Sequence, residues 1–482
     1  LYCKEILNLK KEKIPKGVIS ICMILVLGAL PPMFDSTIVN IAVNDLSKLF
    51  STTFSVMQWV VTGYTLALGI AVPFSGWLVQ KFDGKKIFMS TLGLFLISSL
   101  LSGMAWNIQS LIIFRIFQGF AAGLMIPTLT TMVVNVAGQE NLGSLMSIVG
   151  IPIVFGPIAG PIIGGLILKH VTWNWLFFVN LPVGIIALIL MYFKLPKFEP
   201  TNTKAKMNLP GIILLGLTSG MLIYGITKIK GSGNNTTGIF AIVIGVISIV
   251  VYTIYAWKMK EKALIPLKLF KSKNFSASFI ALFLSGLATN GPMLLFPIFF
   301  QEVRGLDVIA SALWLIPQGA GMLMTRSIVG KMTDRIGARF VVLTSIIITI
   351  IGTLPFAFFD MGTNHWIIWI ILLVRGIGIG GVTIPVMSDS YIGLEKIQIP
   401  QASVATRIIQ NIGAAFGSAV LSTIVSNHMI GKKLSTINIS NAFHAGFITS
   451  LIFTAVMIIP ALFLTNKLNV KSKSVLSSNT SN

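Results

Sequence analysis

The chain has 482 residues, 54% of them hydrophobic and only 10% charged, where an ordinary soluble domain is about a quarter charged. This excludes a soluble globular enzyme and leaves a polytopic membrane protein: a helical span needs about 20 apolar residues, and roughly fourteen such runs follow one another. The net charge of +22 reports topology and not nucleic acid, because its basic clusters alternate along the chain.

Those clusters lie at 4–16, 81–86, 194–206, 258–273, 331–339 and 467–473, whereas the opposite-face loops hold few basic residues, such as Lys48, Lys169, Lys228, Lys230, Arg304, Lys432 and Lys433. The positive-inside rule therefore places both termini in the cytoplasm. Two cysteines, Cys3 and Cys22, supply neither a disulfide framework nor a thiolate metal site. No cleavable leader is expected, because the first apolar run is long enough to span.

Taken in order, the chain begins with a cytoplasmic tail, 1–17. The first span, 18–43, runs outward and contains Phe34-Asp35-Ser-Thr-Ile-Val-Asn40. Asp35 lies about 12 Å below its outer end. A charged Asp in mid-bilayer costs roughly 2.5–3.5 kcal/mol, and intramembrane acids commonly serve proton relays. The plainer alternative is an Asp that only bonds a neighbouring helix. Span 2, 56–79, returns inward to Gly76-Trp-Leu-Val-Gln80-Lys81-Phe-Asp83-Gly84. There Gly76 permits close helix approach and the lysines stay in water. Span 3 covers 87–105. Span 4 starts near Ser110 and carries Arg115-Ile-Phe-Gln118-Gly119 at a depth like that of Asp35. A link between Arg115 and Asp35 is permitted; snorkelling of Arg115 to the outer interface is the alternative.

Span 5, 142–168, holds Gly150 and the run Gly156-Pro157-Ile-Ala-Gly160-Pro161-Ile-Ile-Gly164-Gly165. Its glycines make a smooth packing face and its prolines bend the helix. Span 6 opens on Trp173 to Pro182, an aromatic interfacial anchor. Two further runs, 209–227 and 238–257, sit between basic linkers and return the chain to the same side. Past them the pattern repeats. Gly330-Lys-Met-Thr-Asp334-Arg335-Ile-Gly337-Ala-Arg339 echoes the Gly76 loop (330 − 76 = 254), and Arg375 echoes Arg115 (375 − 115 = 260). The expected architecture is all-α with about fourteen transmembrane helices. It comprises a six-helix bundle at 18–194, basic linkers with an inserted helix pair at 195–273, a second six-helix bundle at 274–466, and a cytoplasmic tail at 467–482.

These residues resemble the major facilitator superfamily, and within it the fourteen-helix drug:proton antiporters of the EmrB/QacA type. The tokens are Asp35 to Asn40, the Gly76 loop, Arg115-x-x-Gln118-Gly119, the run ending at Gly164-Gly165, and Trp175 to Pro182. The resemblance implies two bundles around a cavity that opens alternately to either side, a bacterial plasma membrane, no cofactor or metal, and a proton gradient as energy source. Gly76, Lys81, Asp83, Gly156, Pro157, Gly160, Pro161, Gly164, Gly165, Gly330, Asp334, Arg335, Gly337 and Arg339 would serve gating. Two departures matter: Gln80 stands where the family usually has Asp, and Asp83 where it has Gly. Residues 311–327 also lack the extra acid of some dication exporters.

Asp35, tuned by Arg115, is expected to couple protons to the efflux of hydrophobic neutral or monocationic compounds. Phe34, Trp59, Tyr64, Met125, Met293, Phe296 and Trp314 could form an adaptable apolar pocket with Gln58, Asn290 and Gln318 as polar contacts. A dedicated exporter of one metabolite, peptide or fatty acid is the alternative on the same fold. An intramembrane enzyme is disfavoured, since no cluster of His, Asp, Glu or Cys sits at membrane depth, and a non-transporting sensor is disfavoured by the short tails.

Overall fold

The computed structural model of the protein describes residues 14–137, 141–228, 235–360, 362–429 and 436–466, and every regular element in them is helical. Most of the two expected tails, 1–13 and 467–482, lies outside these residues, as do the side chains of Pro157, Pro161 and Asn290. Helices are what lipid demands, because a spanning segment must satisfy every backbone N–H and C=O within itself.

The first set comprises α1 (Lys16–Leu49), α2 (Phe54–Lys81), α3 (Gly84–Gly103), α4 (Ile108–Ala137), α5 (Leu142–Val149), α6 (Ile151–His170), α7 (Trp175–Phe178) and α8 (Asn180–Lys194). Then come α9 (Leu209–Lys228) and α10 (Thr236–Met259). The second set comprises α11 (Lys273–Glu302), α12 (Val308–Leu313), α13 (Ile316–Ile336), α14 (Ala338–Thr353), α15 (His365–Gly380), α16 (Thr383–Asp389), α17 (Ile399–Met429), α18 (Thr436–Val456) and α19 (Ile458–Ala461). Polar side chains start several of them. Thr53 caps α2, Asp83 caps α3, Ser272 caps α11 and Asp307 caps α12, each accepting from a first-turn backbone N–H.

Among the described residues twelve helices are long and apolar enough to cross a membrane, where the sequence shows about fourteen runs. The two remaining runs are broken. One is divided into α5 and α6 at Gly150, and the other into α12 and α13 at Trp314 and Leu315, just before Pro317. The latter also carries Arg326, Lys331, Asp334 and Arg335, which lower its hydropathy.

The two sets share one packing plan. α1 lies on α6 and α8, as α11 lies on α17 and α18; α2 crosses α4, as α13 crosses α15. The crossings are built from the same parts. A Cβ on Gly119 would overlap the carbonyl oxygen of Tyr64, and one on Gly123 that of Leu68. In the second set a Cβ on Gly376 would likewise overlap the carbonyl oxygen of Gln318, and one on Gly380 would sit 2.9 Å from that of Met322. The offsets agree: 376 − 119 and 380 − 123 are both 257, and 318 − 64 and 322 − 68 are both 254. Without side chains at these positions the backbones approach closely, which is how membrane helices gain packing where lipid supplies no hydrophobic drive.

The sets meet along two seams. α5 packs on α13 at one, and α2 on α17 at the other. α9 lies against both α2 and α17, with Ser219 Oγ donating to the Gly69 carbonyl at 2.9 Å. The inserted pair thus touches both sets along the second seam.

Candidate functional site

Asp35 follows Pro31 and Pro32 in α1 and is fully buried. Its Oδ2 pairs with Arg115 Nη1 from α4. Its Oδ1 accepts from Gln118 Nε2 at 2.9 Å and from Asn180 Nδ2 at 3.1 Å. Both amides also reach Ser99 Oγ, at 3.2 and 3.0 Å, and Ser99 donates to the Phe177 carbonyl at 2.9 Å. Arg115 donates to Gln118 Oε1 at 2.8 Å and, through Nε, to the Val60 carbonyl at 3.2 Å. Its guanidinium lies 4.1 Å from the centroid of Tyr64, whose hydroxyl donates to the Pro32 carbonyl at 3.2 Å. Five spans therefore converge on one carboxylate. Such a cage holds an ion pair that would otherwise be expensive to bury, because both charges keep hydrogen-bond partners.

The glycines of α6 brace the same turn of α1. A Cβ on Gly156 would sit 2.6 Å from the Met33 carbonyl oxygen, one on Gly160 would overlap Thr37 Oγ1, and one on Gly164 would sit 3.0 Å from Ile38 Cγ1. Thr37 Oγ1 in turn donates to the Gly156 carbonyl at 2.8 Å. Spacing by four puts these three glycines on one helix face. Gly165 faces the other way, and a Cβ there would sit 3.1 Å from Ile309 of α12.

The counterpart of Arg115 in the second set is Arg375, also fully buried, with its guanidinium 4.6 Å from the ring centroid of Phe296. Here a glutamine replaces the carboxylate. Nη1 donates to Gln318 Oε1 at 2.7 Å and Nε to Thr353 Oγ1 at 3.1 Å, while Nη2 has no partner among the described residues.

The loop motifs play unequal parts. Asp83 caps α3 through the Lys85 N–H (2.9 Å) and also accepts from the Phe198 N–H (3.0 Å), both on its own side of the seam. Asp334 reaches across it: Oδ1 accepts from the Gly143 N–H at 2.8 Å, and Oδ2 from the Ser144 N–H at 3.1 Å and hydroxyl at 2.5 Å. A carboxylate at the N-terminus of α5 meets unpaired N–H groups and the positive end of the helix dipole. One face of α13, at 326, 330 and 334, runs down α5 beside Gly150, Ser147 and Gly143. Gly330 allows this, since a Cβ there would overlap Ser147 Oγ and sit 2.7 Å from the Gly143 carbonyl oxygen. At the second seam Gly76 faces Val404 and the Pro400 carbonyl. Lys81 lies over the Trp77 and Phe82 rings, Arg335 is exposed, Gly337 takes a φ of +88° that favours glycine, and the Arg339 N–H donates to the Thr465 carbonyl.

The expected pocket residues whose side chains are described fall in several different surroundings; Asn290 lies outside the described side chains. Tyr64 and Gln318 are buried in the two arginine clusters, Phe296 lies beneath Arg375, and Met125 is core. Trp59 is 39% exposed and stacks on Tyr224 at 6.2 Å, facing the groove between α2 and α9, and Gln58 is exposed. Phe34 and Met293 are half-buried, and Trp314 packs on Phe300 and Trp369 near Arg304. Gln118, Asn180 and Ser99 complete the Asp35 cage without having been expected there. The signal for Gln118 was its place three residues after Arg115, which puts both on one helix face.

A membrane-spanning helical repeat with a buried ion pair at its core defines a polytopic membrane protein. The sequence matches the Major Facilitator Superfamily over residues 25–418, and the chain belongs to that family. It is 30% identical over 419 residues to a multidrug resistance protein B homolog of Mycobacterium tuberculosis, covering 86% of this chain and 77% of that protein. It is 28% identical to the lincomycin resistance protein LmrB of Listeria monocytogenes, covering 90% and 93%. Among solved structures, a double-Trp mutant of XylE superposes with a TM-score of 0.66 at 16% identity, covering 92% of this chain and 94% of that one, a likeness of fold.

Proposed function

We propose that this chain exports hydrophobic small molecules in exchange for protons, by alternating access between two six-helix halves, 18–194 and 274–466. The broken runs α5–α6 and α12–α13 bring the span count to fourteen, with the pair α9–α10 inserted and both termini in the cytoplasm. The observation that carries the reading is the Asp35–Arg115 pair, fully buried and braced by the α6 glycines. Protonation of Asp35 would neutralise it, free Arg115 and turn an acceptor oxygen into a donor. The cage would then rearrange, and with it α1 against α6. Because proton and cargo favour different conformers, each drives the other. One proton moving through about 100 mV supplies roughly 2.3 kcal/mol, enough for more than tenfold accumulation. The multidrug-resistance relatives support a drug-like cargo. Of the fourteen acids only Asp35 is in mid-span, and it is paired, so neutral cargo fits better than monocationic.

The test is transport in proteoliposomes carrying Asp35→Asn. Uptake driven by a pH gradient should be lost while downhill exchange of the same compound persists; gradient-driven uptake at the wild-type rate would refute the role of Asp35.

A further inference from the structure

Four arginines lie within spans, Arg115, Arg326, Arg375 and Arg407, against one mid-span acid, Asp35, which Arg115 already occupies. In the second set the imbalance is complete: three mid-span arginines and no mid-span acid. Asp334 and Asp389, at helix ends, are engaged by the α5 N-terminus and by Thr465. Arg375 is held by Gln318 and Thr353 inside its own set. The other two face the region between the sets. Arg326 is only 5% exposed, and neither its Nε nor its Nη1 has a hydrogen-bond partner among the described residues. Its guanidinium occupies the notch at Gly150, beside Ile384. Arg407 lines a cavity with Ile126, Pro127, Leu282, Met387 and Gln410, and makes one long hydrogen bond, to Gln410 Oε1 at 3.4 Å.

Taking a guanidinium out of water costs several kcal/mol unless an anion meets it. Two such groups on faces that the sets turn to each other, with no acid paired to either among the described residues, mark a place where the anion comes from outside. We propose that the cargo is an amphipathic organic anion, its carboxylate or sulfonate received by Arg407 and Arg326 and its apolar body lying on Ile126, Leu282 and Met387. The cavity now measures about 10 Å³, room for one water, so cargo enters when the seam parts, and closure around it pairs the arginines that are otherwise buried alone. Anion efflux and proton influx both run down an inside-negative potential. The proposal rests on the transport reading above for the route of the cargo, but its binding is measurable without any gradient.

The full chain in phosphatidylcholine nanodiscs is titrated with three fluorescent probes: a pyrenyl alkylsulfonate, its neutral sulfonamide and its trimethylammonium counterpart. The sulfonate should bind at least about tenfold tighter than either, close to 1.4 kcal/mol. Arg407→Gln and Arg326→Gln should each shrink that preference, and Arg407→Lys should keep most of it. Equal or tighter binding of the sulfonamide or the ammonium probe to the wild type overturns the proposal, and this ranking decides even if the glutamine variants fail to fold. An undiminished preference in the folded double variant overturns it too, as does displacement of the sulfonate when phosphatidylglycerol is added to the discs, which would give the arginines to lipid phosphate. A wild type that prefers the sulfonate yet shows no proton-driven flux would sink the antiport reading alone.

Discussion

At the scale of single residues, the Asp35–Arg115 pair should behave as a buried ion pair. Removing one partner leaves an uncompensated charge and typically costs 3–5 kcal/mol. Asp35→Asn strands Arg115, and Arg115→Gln strands Asp35, so each single variant should unfold at markedly lower temperature. The double variant should recover part of the loss, because the two changes share one contact. Thermal unfolding of the four proteins in one detergent checks this, and strict additivity would show that the pair is not coupled. Asp35 was legible in the sequence because a lone acid in an apolar run is rare and costly. Arg115 was legible only as a permitted partner, since depth along two helices does not say that they face each other. Asn180 was hidden in an aromatic run that read as an interfacial anchor, and Ser99 carried no signal. The expected pocket residues are spread over different surroundings for a common reason. In a chain so apolar, a Phe, Met or Trp has the same composition signal whether it faces lipid, core or cavity, and only the fold separates Phe296 from Trp59.

Elements carry the glycine argument. On α6 the side-chain-free face against α1 is required where the closest atoms are backbone or a bonded hydroxyl. Gly156→Val and Gly160→Val should push α6 off the Asp35 turn, lowering both thermal stability and transport to near background. Gly93→Ala in α3 is the control, with no atom within 4 Å of the new methyl, and should leave both unchanged within about 1 kcal/mol of the wild type. Equal damage at all three positions would remove the packing explanation. Asp334 argues similarly for α5. Asp334→Asn removes the charge that meets two N–H groups and the helix dipole, weakening the seam by about 1–2 kcal/mol, roughly a five- to thirtyfold shift toward opening. A Ser147→Cys reporter, in a background with Cys3 and Cys22 replaced by serine, should label faster with a membrane-impermeant thiol reagent when Asp334→Asn is added. Asp83→Asn should label at the parent rate, because Asp83 bonds only within its own side. The sequence offered the two loops as copies. Their difference lies in Gln80 standing at the place equivalent to Asp334 (334 − 254 = 80), and in which side of the seam each carboxylate reaches. Run lengths gave the spans well, but they did not show where a run breaks, because a glycine at Gly150 or a proline at Pro317 is compatible with a continuous membrane helix until its neighbours are known.

For the whole molecule, the α5–α6 and α12–α13 runs touch at both ends of one seam. Near one end Ser147 meets Gly330; toward the other Gly165 meets Ile309. A transporter that alternates must part these contacts in turn, since cargo cannot pass where both are made. Cysteine pairs at the two places test this directly: Ser147→Cys with Gly330→Cys, and Gly165→Cys with Ile309→Cys, again without Cys3 and Cys22. At the first place Gly330 meets Ser147 Oγ and nearby backbone, and at the second Gly165 meets the end of the Ile309 side chain, so the crosslink is expected to form faster at the first. Both pairs should oxidise, and either crosslink alone should stop gradient-driven flux, with reduction restoring it. The sulfonate probe sharpens the reading, because a lock at the Ser147 end closes the notch that holds Arg326 and should slow probe release when only that end provides an exit. Undiminished flux through the fully crosslinked protein would mean that this seam does not move, and the burial of Arg326 would then be a fixed feature of the fold, with no part in passing cargo.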